Sequence, residues 1–388
     1  MPAGLMPTRL MPTGQMPSRD WYAGRRVFVT GHTGFKGAWL CLWLQRLGAE
    51  VTGFALPPEP GSLFGAAGVG TGMRSLTGDV RDRAALDRVL RDARPEIILH
   101  LAAQSLVRRS HDAPAETFAT NVMGTVNLLD AARHLPDLRA VINVTSDKCY
   151  ENDGSGRPFT EADPMGGSDP YSASKGAAEI AAAGMARSFY SGAGGAAGSP
   201  AHVASVRAGN VIGGGDWAAD RIIPDLMRAA EAGQPALIRR PDAVRPWQHV
   251  LEPLRGYLML AQRLASDGPA QSGPAQSGMD FSGGWNFGPG PASTVSVREI
   301  AEAVARRWPV LRVDYARNSA GPHEAPLLAL DSGKAAARLG WHPLLTLDDS
   351  LRLTTDWYRQ SFENAGLAPQ LTAGQVLEYE TRLAAGTG

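Results

Sequence analysis

Val27-Phe-Val-Thr-Gly31-His-Thr-Gly34-Phe-Lys-Gly37 decides the reading of this 388-residue chain. A short apolar run enters Gly31, three glycines follow at intervals of three, and a helical apolar pattern begins at once. Glycine permits the tight turn and lets the backbone approach a pyrophosphate, whose charge then rests on the helix N-terminus. A glycine triplet alone is often only a turn. The strand before it and the amphipathic helix after it make Gly31, His32, Thr33, Gly34, Phe35, Lys36 and Gly37 a candidate dinucleotide cradle. The acid that reads the ribose, expected about 20 residues on, is missing, because the second strand closes Gly53-Phe54-Ala55-Leu56. Lys36 and His32 face either the diphosphate or a 2′-phosphate, so strand two does not separate NAD from NADP. Asp79 and Val80, after strand three, suit either an adenine edge contact or a plain strand-end turn.

Outward from this stretch the pattern repeats. β-type runs are predicted at 26–30, 50–54, 97–101, 140–145 and 203–207, alternating with helices over 37–47, 83–92, 114–134 and 172–190. A further strand is read at 284–288. Apolar strands alternating with helices mean an α/β fold, a doubly wound parallel-sheet (Rossmann-type) domain. It is expected to span 21–212 plus 281–288, with 213–280 and 289–388 forming a second, smaller mixed α/β substrate lobe. Residues 1–20 place methionine at 1, 6, 11 and 16 in a Met-Pro repeat, read as a disordered tail. The doubled GPAQS stretch at 268–278 reads as a flexible surface loop.

Composition narrows the function. Hydrophobic residues are 44% of the chain and charged residues 20%, enough for a packed core. Thirty-eight basic residues balance 38 acidic ones, which leaves no global field to hold a nucleic acid. Cys41 and Cys149 cannot form a disulfide scaffold, and no apolar run reaches the roughly 20 residues of a membrane span. A cytoplasmic protein without membrane attachment is expected. His249 and His323 lack metal-ligand spacing, so no metal site is expected.

Only four of the 38 basic residues are lysine: Lys36, Lys148, Lys175 and Lys334. A retained lysine then marks a place where a titratable ammonium is needed, since guanidinium keeps its proton. Tyr171-Ser-Ala-Ser-Lys175 puts a phenol and an ammonium on one helix face, and the cation favours the ionised phenol. Thr145-Ser146-Asp147-Lys148-Cys149-Tyr150 closes the fifth strand, at the end of the sheet where open α/β folds carry reactive groups. Separately these read as surface decoration and a solvated strand end. Together they make Ser146, Asp147, Lys148, Tyr171 and Lys175 the candidate catalytic set.

With these motifs the chain resembles the extended short-chain dehydrogenase/reductase family over about residues 25–345. Leu101-Ala102-Ala103-Gln104, Asn121-Val-Met-Gly-Thr125 and Leu339-Gly-Trp-His-Pro343 support it. So do the stretches 207–217 and 245–253, and Asp147-Lys148 looks like the cytidylyl branch of its sugar-nucleotide dehydratases. The resemblance implies NAD as cofactor, contacted also by Leu101, Ala102, Ala103, Tyr171 and Lys175, and CDP-glucose as small-molecule substrate. It implies substrate contacts at Gln104, Asn121, Asn210, Asp216, Trp217, Arg221, Arg245, His249 and Glu324, where arginine forks would match phosphate oxygens. It also implies a homodimer built on helices 114–134 and 172–190. In the chemistry it implies, Tyr171, aided by Ser146 and Lys175, takes the sugar 4-hydroxyl proton, and Asp147 protonates the departing 6-hydroxyl. Lys148 is either the C5 base or, if it stays protonated, the enolate's counter-charge. A 4-epimerase on the same scaffold, or a non-catalytic NAD-binding protein, are the competing readings. Since a Met-Pro repeat has no apolar face to bury, removal of residues 1–15 is expected to leave the melting temperature and activity unchanged. A lowered melting temperature would mean that the segment docks on the body.

Overall fold

The computed structural model describes residues 16–190, 199–266, 278–316 and 328–386. Its centre is a seven-stranded sheet whose paired strands all run parallel. In chain order its strands are β1 (Arg26–Thr30), β2 (Glu50–Ala55), β3 (Arg74–Thr77), β4 (Ile97–His100), β5 (Ala140–Val144), β6 (His202–Arg207) and, after three strands of the lobe, β10 (Gly283–Asn286). Side by side the order is β10-β6-β5-β4-β1-β2-β3, so the winding reverses between β1 and β4.

Strand side chains alternate between two apolar clusters, as a period of two requires. Val27, Val29, Ile97, Leu99 and Ile142 join Trp39 and Trp43 of the helix Phe35–Arg46 on one face. Phe28, Ile98 and Val141 join Leu86, Leu90 and Leu128 on the other. Both faces are covered, which is why these strands read as continuous apolar runs. The smaller lobe carries β7 (Asn210–Ile212), β8 (Ala236–Ile238), β9 (Val244–His249), β11 (Thr294–Ser296) and β12 (Val313–Tyr315), arranged as β11-β9-β7 and β12-β8.

The structure departs from the sequence expectation in three places. Residues 18–20 are not tail: Ser18 caps the helix Arg19–Tyr22, and Tyr22, fully buried, donates to the Leu258 carbonyl at 2.7 Å. The segment 114–134 is two α-helices, Pro114–Phe118 and Gly124–Ala132, joined by a π-turn over Ala119–Met123. The helix Leu251–Leu264, expected in the lobe, packs on β5, β6 and the helix Phe35–Arg46 and covers the main sheet. Lobe residues Ile223, Trp247 and Trp357 share one apolar cluster with Val27 and Val29. The 268–278 loop lies outside the described residues except for Gly278. Among the described residues no helix is long and apolar enough to cross a membrane, and no group of three His, Cys, Asp or Glu could hold a metal.

Leu339-Gly-Trp-His-Pro343 closes the molecule near its C-terminus. Trp341 is fully buried and donates to the Glu252 carbonyl at 3.2 Å. The Glu252 carboxylate accepts from the Leu344 and Leu345 amides at 2.9 and 2.6 Å and from the Tyr379 hydroxyl at 2.8 Å. Trp341→Ala leaves a cavity and frees that carbonyl, so a loss of about 3–5 kcal/mol is expected. Urea unfolding reads it, and a loss below about 1 kcal/mol would mean that the site collapses onto neighbouring side chains.

Candidate active site

Gly31 turns with φ +72°, and a Cβ there would stand 2.7 Å from the Ala102 amide nitrogen. At Gly37 a Cβ would overlap the Gly31 carbonyl. The turn is held by the Gly34 amide donating to the Gly31 carbonyl at 3.1 Å, and no side chain caps the following helix at Gly34. Uncapped amides at a helix start, above a turn with no side chains to fill it, fit a dinucleotide diphosphate. Thr30 Oγ1 accepts from the Leu101 and Ala102 amides, each at 3.1 Å, and this ties the ends of β1 and β4 together. Phe35 and Ala103, the other two residues read from sequence here, are half-buried beside the turn.

Not every residue of the cradle faces it. His32 is fully buried, its Nε2 is 2.7 Å from Ser75 Oγ, and its ring lies over Gly53 where a Cβ would be. Burial holds its pKa down to about 4. The His32 side chain is thus packed over β2 and held by Ser75 of β3. Thr33 is occupied with the Leu56 carbonyl at 3.0 Å, the Asp79 carboxylate with the Arg81 guanidinium and amide, and Val80 is core. Lys36 does reach the site. Burial and the Arg221 charge lower its ammonium to about 8, against the pull of Asp147.

The turn carrying Ser146, Asp147 and Lys148 follows β5. Ser146 caps a short 3₁₀ turn, Asp147–Cys149, accepting from the Lys148 amide at 3.2 Å and donating to Asp147 Oδ1 at 2.8 Å. Asp147 is 5% exposed, with Oδ2 against Gly209. Burial raises its pKa above the ordinary carboxylate range, and Lys148, Ser146 and Lys36 oppose the rise only in part. The helix Pro170–Phe189 faces this turn, started by Asp169, which accepts from the Ser172 amide at 3.0 Å. Proline at the first position and the aspartate cap are what sequence rules require of such a start. One turn apart on it, Tyr171 and Lys175 are both buried. Burial pushes the phenol up to about 12, with a hydrogen bond to Ser146 and the Arg221 charge acting against it. Burial brings the Lys175 ammonium down to about 8, and it donates to the Val144 carbonyl at 3.4 Å. Lys148, half-buried, lines a neighbouring cleft with Tyr150, Glu151, Asn152 and Ser172. A phenol, ammonium groups and a buried carboxyl group gathered here can exchange protons with a bound hydroxylated molecule.

The expected substrate contacts separate. Arg221 reaches the site: it pairs with buried Asp216 at 2.9 Å, donates to Ser105 at 3.4 Å and acts on Tyr171. Asn210 opens β7 directly after Gly209, and Arg245 in β9 donates to the Val244 carbonyl. Gln104 and Asn121 are used up internally. The Asn121 amide binds the Gln104 backbone on both sides, at 2.8 and 3.0 Å, and Ser174 at 2.8 Å. The Gln104 side chain closes its own loop onto Leu106 and Thr117. His249 is fully buried against Trp39, and half-buried Trp217 meets Tyr358 edge-on and Phe362 at a tilt. Glu324 and His323 lie outside the described residues. Sequence reasoning missed Glu179, whose charge acts on Lys175; its spacing of four from Lys175 was the available signal.

The model of the family described as "NAD dependent epimerase/dehydratase family" matches residues 27–272. A protein named CDP-glucose 4,6-dehydratase, from Salmonella typhimurium, is 46% identical over 349 residues, 88% of this chain and 92% of that one. A dTDP-glucose 4,6-dehydratase from Xanthomonas campestris pv. campestris is 27% identical over 353 residues, 85% of this chain and 92% of that one. Among solved structures, MoeE5 in complex with UDP-glucose and NAD superposes with a TM-score of 0.70 at 26% identity, over 86% of this chain and 99% of that one.

The buried histidines give this architecture an acid limit. Burial holds His32 at about 4, His100 at about 3 and His249 at about 3, while the unfolded chain protonates near the ordinary 6.5. The unfolded state thus binds more protons between those values, and the stability present above pH 6.5 is lost as pH falls toward 3. The urea midpoint is expected to be lower at pH 5 than at pH 7, and His32→Asn should shrink that difference. An equal pH difference in His32→Asn would show that this ring is not held neutral.

Proposed function

Because the chain belongs to the NAD dependent epimerase/dehydratase family, we propose that it is a CDP-glucose 4,6-dehydratase, converting CDP-glucose to CDP-4-dehydro-6-deoxyglucose and water. The observation that carries this reading is the buried Asp147 carboxyl, accepting from Ser146 in the turn that faces Tyr171 and Lys175, where burial raises its pKa. A 4-epimerase needs the phenol and the ammonium, but it has no use for an acid at the sugar's C6 oxygen. The 46% identity to a protein named for CDP-glucose supports the nucleotide.

NAD, held by the Gly31–Gly37 turn, supplies when bound a hydride acceptor at C4 and a donor at C6, so that no external reductant is consumed. Tyr171 receives the 4-hydroxyl proton, with Ser146 as its hydrogen-bond partner and the Arg221 charge favouring the phenolate, and Lys175 stands one turn further along the same helix. The carbonyl formed at C4 acidifies the C5 proton. Lys148 removes that proton; if it instead stays charged, it balances the enolate while a base other than Lys148 takes the proton. Asp147 delivers its proton to the C6 oxygen, which leaves as water. Arg221, paired with Asp216 beside this cluster, is placed to exchange that partner for a substrate phosphate.

The homodimer belongs to the same proposal. Phe118, Met123 and Ile180 are 38%, 50% and 61% exposed on neighbouring helical segments, an apolar face suited to a second copy. Two free, buried cysteines are in keeping with a reducing cytoplasm. Asp147→Asn keeps shape and hydrogen bonding but lacks the transferable proton. It is expected to oxidise CDP-glucose and stall, accumulating NADH absorbance while dehydration falls about 10²–10⁴-fold. Tyr171→Phe should lose the oxidation itself and retain NAD. Wild-type turnover by Asp147→Asn would favour the epimerase reading.

A further inference from the structure

Behind the reactive groups lies a charged cluster that the chemistry above does not use. We propose that Glu179, Arg207 and Tyr150 are positioning residues, forming a clamp that sets the catalytic helix against the Ser146–Lys148 turn and directs its negative end at Lys175. Glu179 follows Lys175 by four residues and Tyr171 by eight, so the three line one stripe of the helix Pro170–Phe189. Arg207 and Glu179 side chains are only 5% and 6% exposed, and they pair bidentately at 2.8 and 3.0 Å. Thr145, immediately before Ser146, donates to the same carboxylate at 2.5 Å. Arg207 also donates to the Tyr150 hydroxyl, immediately after Cys149, and Tyr150 donates to Asn286 at 2.7 Å. Both ends of the reactive turn are thereby tied to one ion pair, together with β6 and β10.

Stability alone does not account for such a pair, since an apolar pair of similar volume serves a buried contact as well or better. Charge adds direction. Helix and turn approach closely beside it: a Cβ on Gly176 would stand 3.1 Å from the Cys149 carbonyl oxygen. A shift of this helix moves Tyr171 off Ser146, and displacement by about 1 Å can cost about a hundredfold in rate. The groups acting on Lys175 are Glu179 from its own helix, Cys149 from the turn, His100 from β4 and Lys36 from the cradle helix, with Tyr171 one turn ahead. Of these, Glu179 is the carboxylate that supports its proton, with Arg207 on that carboxylate's other side.

Glu179→Gln alone strands a buried guanidinium and threatens folding. The deciding variant is the double Glu179→Gln/Arg207→Gln, with neutral amides that can still hydrogen-bond. The chain has four lysines, so ¹⁵N-lysine NMR can follow Lys175 without any substrate, and Lys175→Met assigns its signal. The expected result is a Lys175 pKa lower by about one unit. With CDP-glucose, which rests on the dehydratase reading, kcat should fall about tenfold to a hundredfold with KM within about twofold, and the alkaline limb should move to lower pH. An unchanged Lys175 titration overturns the proposal, whatever happens to the melting temperature. Wild-type failure on CDP-glucose would count against the substrate and leave the NMR result to judge the clamp. Tyr150→Phe keeps the pair and loses the bond to the turn, and it needs no change in buried charge. It should lower kcat several-fold with the alkaline limb in place, and an unchanged kcat overturns the bracing of the turn.

Discussion

Where the end of β4 meets the turn after β1, two backbones approach so closely that no Cβ fits between Gly31 and Ala102. That contact sets the frame for the rest. Thr30 gathers the Leu101 and Ala102 amides on its hydroxyl and bonds His100 Nδ1 at 2.7 Å, so both strand ends end in one register. The helix starting at Phe35 then leaves the turn in a direction that brings Lys36 within electrostatic reach of Asp147. A side chain at position 31 would separate β1 from β4, and with them the cradle from the reactive turn on β5. The reversal of winding between β1 and β4 is what leaves a crevice there at all.

Burial is the first cause of the shifts at these groups. It raises Asp147 and Tyr171 and lowers Lys36 and Lys175, each toward its uncharged form. Water would erase these differences, and Asp147, Tyr171 and Lys175 are buried away from it. The charges then act on one another at short range, where each is worth more than at the surface. A carboxyl shifted up and an ammonium brought down to about 8 therefore come from packing, together with the choice of residues. Around them, ordinary hydrogen bonds do the holding. Asn121, presented by a π-turn, fixes the Gln104 backbone and Ser174 together, joining the loop after β4 to the helix Pro170–Phe189.

The parallel sheet, the glycine turn and the pairing of Tyr171 with Lys175 were legible in the amino-acid sequence because each is a local pattern. Strand alternation, a glycine triplet and a spacing of four are set by geometry within a few residues. Lysine scarcity added weight to Lys36 and Lys175, and burial lowers both ammonium groups to about 8. What tertiary structure decided is which polar side chains are free. Gln104, Asn121, His32 and His249 read as ligand contacts, yet their partners come from distant segments: Thr117, Ser174, Ser75 and the Trp39 ring. The helix Leu251–Leu264 read as lobe and covers the sheet, because its apolar stripe found β5 and β6. A donor or an apolar stripe is visible in one dimension. Whether a buried partner satisfies it is fixed only when the chain folds back on itself, since no rule of spacing links residues so far apart.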